Sequence, residues 1–121
     1  MQVLAYVAAA LIGVWGIAHG VPTKRVVAGF AITTDNRRVL TQEWLAESFT
    51  MLAMAALVVA VTVTAGDTRV TAIVYLVGAG LLLALATLTA LTGARTPGVG
   101  FKVCPILLAT SAALLLVAST R

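Results

Sequence analysis

The chain has 121 residues, 61% of them hydrophobic and 10% charged, with eight Lys and Arg against four Asp and Glu, and its mean hydropathy is +1.09. A water-facing surface of this size cannot be built from so few charged side chains, since soluble domains carry roughly a quarter charged residues. Composition therefore excludes an ordinary soluble domain, and the formal charge of +4 points to anionic headgroups rather than to nucleic acid.

A helix needs about 20 apolar residues to cross a hydrocarbon core of roughly 30 Å. Four segments meet or approach that length, at about 3–20, 45–65, 70–91 and 103–118. The expected fold is all-α: a polytopic integral membrane protein, folded as one antiparallel four-helix transmembrane bundle over residues 1–121.

The first segment is read as a permanent span rather than a secretory signal. Only Gln2 precedes its apolar run, whereas a signal wants a basic n-region. Gly16 and Gly20 stand four residues apart on it, a small-xxx-small spacing that lets another backbone approach closely. Packing within the bundle explains the spacing without a second copy; a homodimer is the alternative.

The connection 21–44 follows. Pro22 marks a break or a new first turn. Lys24-Arg25-Val26-Val27-Ala28-Gly29-Phe30 mixes basic and apolar residues and suits a stretch lying in the interface. Thr33-Thr34-Asp35-Asn36 is a helix-start cluster with Asp35 as the candidate cap. The second long helix is expected over 36–65, entering the membrane near residue 45. The turn Gly66-Asp67-Thr68-Arg69 is tight, so the second and third long helices are expected to be antiparallel neighbours. After the third, Thr92-Gly93-Ala94-Arg95-Thr96-Pro97-Gly98-Val99-Gly100 reads as a loop. Pro105 is expected in the first turn of the last helix, where a missing N–H matters little.

Six basic residues, Lys24, Arg25, Arg37, Arg38, Arg95 and Lys102, fall in 21–44 and 92–102, and two, Arg69 and Arg121, on the other side. The positive-inside rule then makes 21–44 and 92–102 cytoplasmic. Both termini face outside, in a cell (inner) membrane.

Glu43 and Glu47 are four residues apart and share a helix face. Trp44 is a natural headgroup anchor, so Glu47 lies about a turn deeper. A carboxylate there must be paired, neutralised or facing water, and by default marks a functional site. His19 ends the first helix at the same level. His19, Glu43 and Glu47, with Arg37 and Arg38 nearby, form the candidate polar site; the plainer reading makes Glu47 a structural partner of an arginine or of His19, and His19 a cap on its own helix. A histidine and two carboxylates match divalent-metal ligand types, but the Glu-x-x-His pairing of di-iron bundles is missing. No metal and no cofactor are therefore assigned. Cys104 is the single cysteine and reads as a small packing residue.

The run Trp15-Gly16-Ile17-Ala18-His19, with Pro22-Thr23-Lys24, Gly29-Phe30, Asp35-Asn36-Arg37-Arg38 and Glu43-Trp44-Leu45-Ala46-Glu47, resembles a group of small, uncharacterised bacterial four-span membrane proteins. The resemblance covers about the first half of the chain and implies no activity. In length and span count the chain is also loosely similar to DoxX-like proteins, without a DoxX motif. Small multidrug transporters share its size, but their pattern places a glutamate inside the first helix, and residues 3–20 contain none.

The leading expectation is a non-enzymatic membrane component that binds a lipid-like ligand or a membrane partner from the cytoplasmic side. Membrane lipids, a second copy of the chain or another membrane protein are the candidate partners. Two alternatives stand beside it: a proton-coupled small-molecule transporter using Glu47, and a membrane subunit of a redox complex.

Overall fold

In a computed structural model, residues 2–120 are described and, among them, all regular structure is helical. Arg121, counted above among the basic residues, lies outside the described residues. The helices are α1 (Gln2–Gly20), α2 (Thr23–Ala28), α3 (Thr34–Ala65), α4 (Arg69–Leu91) and α5 (Val99–Ser119), with a short 3-10 turn at Gly93–Arg95 before α5. Four of them, α1, α3, α4 and α5, are long and apolar enough to cross a membrane.

The long helices run up and down. α1 packs along α3 and α5, and α4 packs along α5. α3 and α4 are joined by the tightest turn, yet of the adjacent pairs they share the least packing. The expected antiparallel pairing of the two is present, but over only part of their length. They meet towards the turn end, where the hydroxyls of Thr62 and Tyr75 are hydrogen-bonded and Met54 lies against Gly78. At the other end they diverge.

The core is built for close helix approach. α1 buries Ala5, Ala8, Ala9, Ile12 and Gly16; α4 and α5 add Ala79, Leu82, Leu108, Ala112 and Leu115. Small residues bring backbones together, so the helices gain close van der Waals contact along their length. Gly16 and Gly20 serve α3: a Cβ on Gly16 would lie 3.2 Å from Met51 Cβ, and one on Gly20 would fall on the Ser48 hydroxyl. The small-xxx-small spacing is thus used inside the chain. Outward, Val3, Val14, Ile17, Phe49, Val63, Val77 and Ile106 are exposed.

The helix ends follow from local chemistry. Thr33, not Asp35, caps α3: its side chain accepts a hydrogen bond from the Asn36 N–H at 3.2 Å. Its extended backbone (φ −64°, ψ 162°) suits a cap position. α3 therefore starts at Thr34 and runs for 32 residues, or ~48 Å at 1.5 Å per residue. Gly66 closes α3 at φ 56°, a left-handed conformation that glycine adopts freely. α5 begins at Val99, so Pro105 lies inside it rather than in its first turn. Lacking an N–H, Pro105 leaves the Phe101 carbonyl without its ordinary helical donor.

Candidate functional site

The register of α1 against α3 is set by two hydrogen bonds. Ser48 donates from its hydroxyl to the Gly16 carbonyl at 2.7 Å. One turn nearer the helix ends, Trp44 donates from Nε1 to the His19 carbonyl, also at 2.7 Å. That carbonyl belongs to the last turn of α1, where carbonyls run out of intrahelical N–H partners. The Thr23 hydroxyl does the same for the Gly20 carbonyl. Three side chains thus tie off the end of α1 and fix the position of His19.

With this register, Glu47 comes opposite His19. Glu47 Oε2 lies 3.4 Å from His19 Nε2, with the His19 side chain 9% exposed and that of Glu47 26%. The two atoms are within ion-pair distance but lack hydrogen-bond alignment, so His19 Nε2 remains without a hydrogen-bond partner, as does the buried Glu47 Oε1. The imidazole stacks on the Trp44 indole, with centroids 4.2 Å apart and planes 9° from parallel. The Phe101 ring meets Trp44 edge-on at 5.8 Å. Phe101 is held in turn by the 92–98 segment: a Cβ on Gly98 would lie 2.8 Å from its ring, and one on Gly93 3.3 Å.

These residues face a cleft of about 700 Å³ where α3 and α4 diverge. Trp15 and His19 line it from α1, Glu43, Trp44, Glu47 and Thr50 from α3, Leu85, Leu88 and Thr89 from α4, and Phe101 and Cys104 from α5. Its walls are mostly apolar and it is open on one side. A volume of this order lies within the roughly 300–1,000 Å³ typical of small-molecule sites. Trp15 Nε1 is a third buried polar atom in this lining without a hydrogen-bond partner.

Of the five candidate residues, the structure brings His19, Glu43 and Glu47 to one cleft. Glu43 stays exposed at its rim, accepting from Gln42 Nε2 at 3.3 Å. Arg37 and Arg38 are used elsewhere. Arg37 donates to the Val27 carbonyl at 2.7 Å and the Phe30 carbonyl at 3.3 Å, tying α2 to α3. Arg38 pairs with Asp35 at 3.4 Å, both well exposed. Among the described residues no three His, Cys, Asp or Glu side chains are grouped to hold a metal ion. The α4 wall and Phe101 were not singled out in the sequence. The signal for Phe101 was an aromatic residue directly after a glycine-rich loop, which leaves room for a ring to fold back.

No family model, curated protein or solved structure matches the chain.

Proposed function

We propose that this chain is an integral membrane protein, an antiparallel four-helix transmembrane bundle, whose cleft holds a lipid-like amphiphile without chemical conversion. The observation that carries the reading is the cleft itself. It is mostly apolar, lies where two long apolar helices part, and has a polar pair, His19 and Glu47, at one place in its lining. An acyl or alkyl chain matches the walls left by Leu85, Leu88 and Thr89, and a polar head matches the pair. The exposed valines and isoleucines of the long helices support lipid as their solvent, since such a surface is costly in water. The reading also takes 21–44 and 92–102 as cytoplasmic and both termini as outside, on the six-to-two distribution of Lys and Arg. A cell (inner) membrane is the setting this orientation implies.

Native mass spectrometry of the protein released from lipid nanodiscs tests it. The expected result is one class of amphiphile retained by the wild type and lost from Thr89→Phe and Ala46→Trp, since both residues line the cleft, one from α4 and one from α3. Equal retention by all three proteins would refute the reading.

A second reading is favoured by the same pair. A carboxylate facing a histidine in an apolar setting is a suitable proton carrier, and would make the cleft the substrate site of a proton-coupled transporter. Proton-driven uptake into proteoliposomes that Glu47→Gln abolishes would establish it over simple binding.

A further inference from the structure

The charges around the cleft are sorted. Six of the eight basic residues belong to this end of the chain, yet among the described residues no Lys or Arg lines the cleft. Two of the four acidic residues, Glu43 and Glu47, do. Arg37 and Arg38 are committed to backbone carbonyls and to Asp35. An anionic head placed in the cleft would face two carboxylates with only His19 to offset them. A neutral head without a donor would cover the exposed part of the Glu47 carboxylate without pairing it, and a desolvated lone carboxylate is costly.

Three aromatic side chains, Trp15, Trp44 and Phe101, share the lining with these carboxylates. Ring faces attract ammonium groups through their quadrupole and repel anions. One face of Trp44 is covered by His19, and any ring face left open to the cleft favours the same sign of ligand charge as the carboxylates. The Glu47 carboxylate adds a finer demand. Its side chain lines the cleft and is 26% exposed, and its oxygens only accept, so an ammonium bearing N–H bonds can donate to it and a quaternary one cannot.

We propose that the cleft, read as above as an amphiphile site, is selective for a primary ammonium head on an alkyl chain, with Glu47 as its counter-ion and the Trp15, Trp44 and Phe101 rings as its walls. The ammonium enters beside the His19–Glu47 pair and donates to the exposed part of the Glu47 carboxylate. The chain lies along Leu85 and Leu88 towards the opening between α3 and α4. An ethanolamine phospholipid and a free long-chain amine both present this chemistry.

The protein's two tryptophans both line the cleft, so its own fluorescence reports occupancy. In phosphatidylcholine nanodiscs, phosphatidylethanolamine with brominated chains should quench it more strongly than brominated phosphatidylglycerol at the same mole fraction. Dodecylammonium should relieve that quenching, and dodecyltrimethylammonium should need about tenfold more, the loss of one charge-assisted hydrogen bond. Glu47→Gln should level the two lipids. If the amine alone perturbs the fluorescence saturably and the two lipids quench equally, the amine is free rather than a headgroup, and the ammonium assignment holds. Equal quenching with no response to the amine, or stronger quenching by phosphatidylglycerol, overturns it. The wild-type comparison decides this without any variant. Thr89→Phe separates the two levels: if it removes quenching that shows no headgroup preference, only the ammonium selectivity fails, and if it leaves all quenching unchanged, the cleft is not the binding site.

Discussion

The His19 imidazole lies flat on the Trp44 indole, 4.2 Å away, while the same indole donates its N–H to the His19 backbone carbonyl. One side chain of α3 therefore fixes both the backbone and the ring of the residue that faces Glu47. Trp44→Phe keeps an aromatic ring for the stack and removes the donor. It is expected to cost about 1 kcal/mol, the usual net worth of one hydrogen bond, and Trp44→Ala is expected to cost more. Reversible unfolding in detergent measures both. If Trp44→Phe is as stable as the wild type, the bond does not hold the end of α1.

The contact of Gly20 with Ser48 gives a second expectation. A Cβ on residue 20 meets the Ser48 hydroxyl, so Gly20→Ala must push α1 from α3 or rotate Ser48 away from the Gly16 carbonyl. Overpacking of this kind costs about 1–3 kcal/mol. Ser48→Ala removes the obstructing oxygen but also the bond to Gly16, an effect of about 0.6 kcal/mol for an average interhelical hydrogen bond in a membrane protein. The double variant should be less destabilised than the sum of the two. Simple additivity in the double-mutant cycle would mean that the two residues do not press on each other.

Where α3 and α4 do meet, the Thr62 hydroxyl also donates to the Val58 carbonyl while contacting the Tyr75 hydroxyl. Tyr75→Phe leaves Thr62 with a backbone partner, so the expected loss is small, about 0.6 kcal/mol. Thr62→Val leaves a buried phenol hydroxyl without that partner and should cost more, since an unsatisfied buried donor loses about 1–3 kcal/mol. A melting comparison with the order reversed would contradict this account of the seam.

The helical segments were legible because lipid-length apolar runs stand out against so few charges. The common level of His19, Glu43 and Glu47 along the bundle was legible too, because helical rise converts residue number into position along the axis. Helix pairing was not. A tight turn at Gly66 states that α3 and α4 are linked, but their partners are chosen by surface shape: the alanines and glycines of α1 accept α3, and those of α4 accept α5. Arg37 illustrates the limit for the site. Its charge and position suggested a place beside Glu47, whereas the Val27 and Phe30 carbonyls at the end of α2 capture it. That choice depends on the path of residues 29–33, for which no periodicity exists to read.

The Lys and Arg distribution predicts an orientation. Thr34→Cys and Asp67→Cys, each in a Cys104→Ser background, sit at opposite ends of α3. In intact cells an impermeant maleimide should label residue 67 and not residue 34. The reverse pattern would invert the topology and place the cleft's polar end outside.

The last expectation separates the two glutamates. Glu47 is partly buried, opposite a His19 side chain that is nine-tenths buried, and its Oε1 has no partner. Glu43 is exposed and bonded only to its neighbour Gln42 in the described structure. Water and headgroups can replace what Glu43 loses on substitution, whereas nothing else in the lining can stand opposite His19. Glu47→Ala removes the carboxylate from that imidazole and enlarges the cleft beside it. Glu43→Ala changes only the rim. The melting temperature in detergent should therefore fall further for Glu47→Ala. Glu47→Gln should fall between the two, because it preserves the shape of the side chain while losing the charge. Equal shifts for the two alanine variants, or a larger one for Glu43, would show that the His19–Glu47 pair does not anchor the bundle.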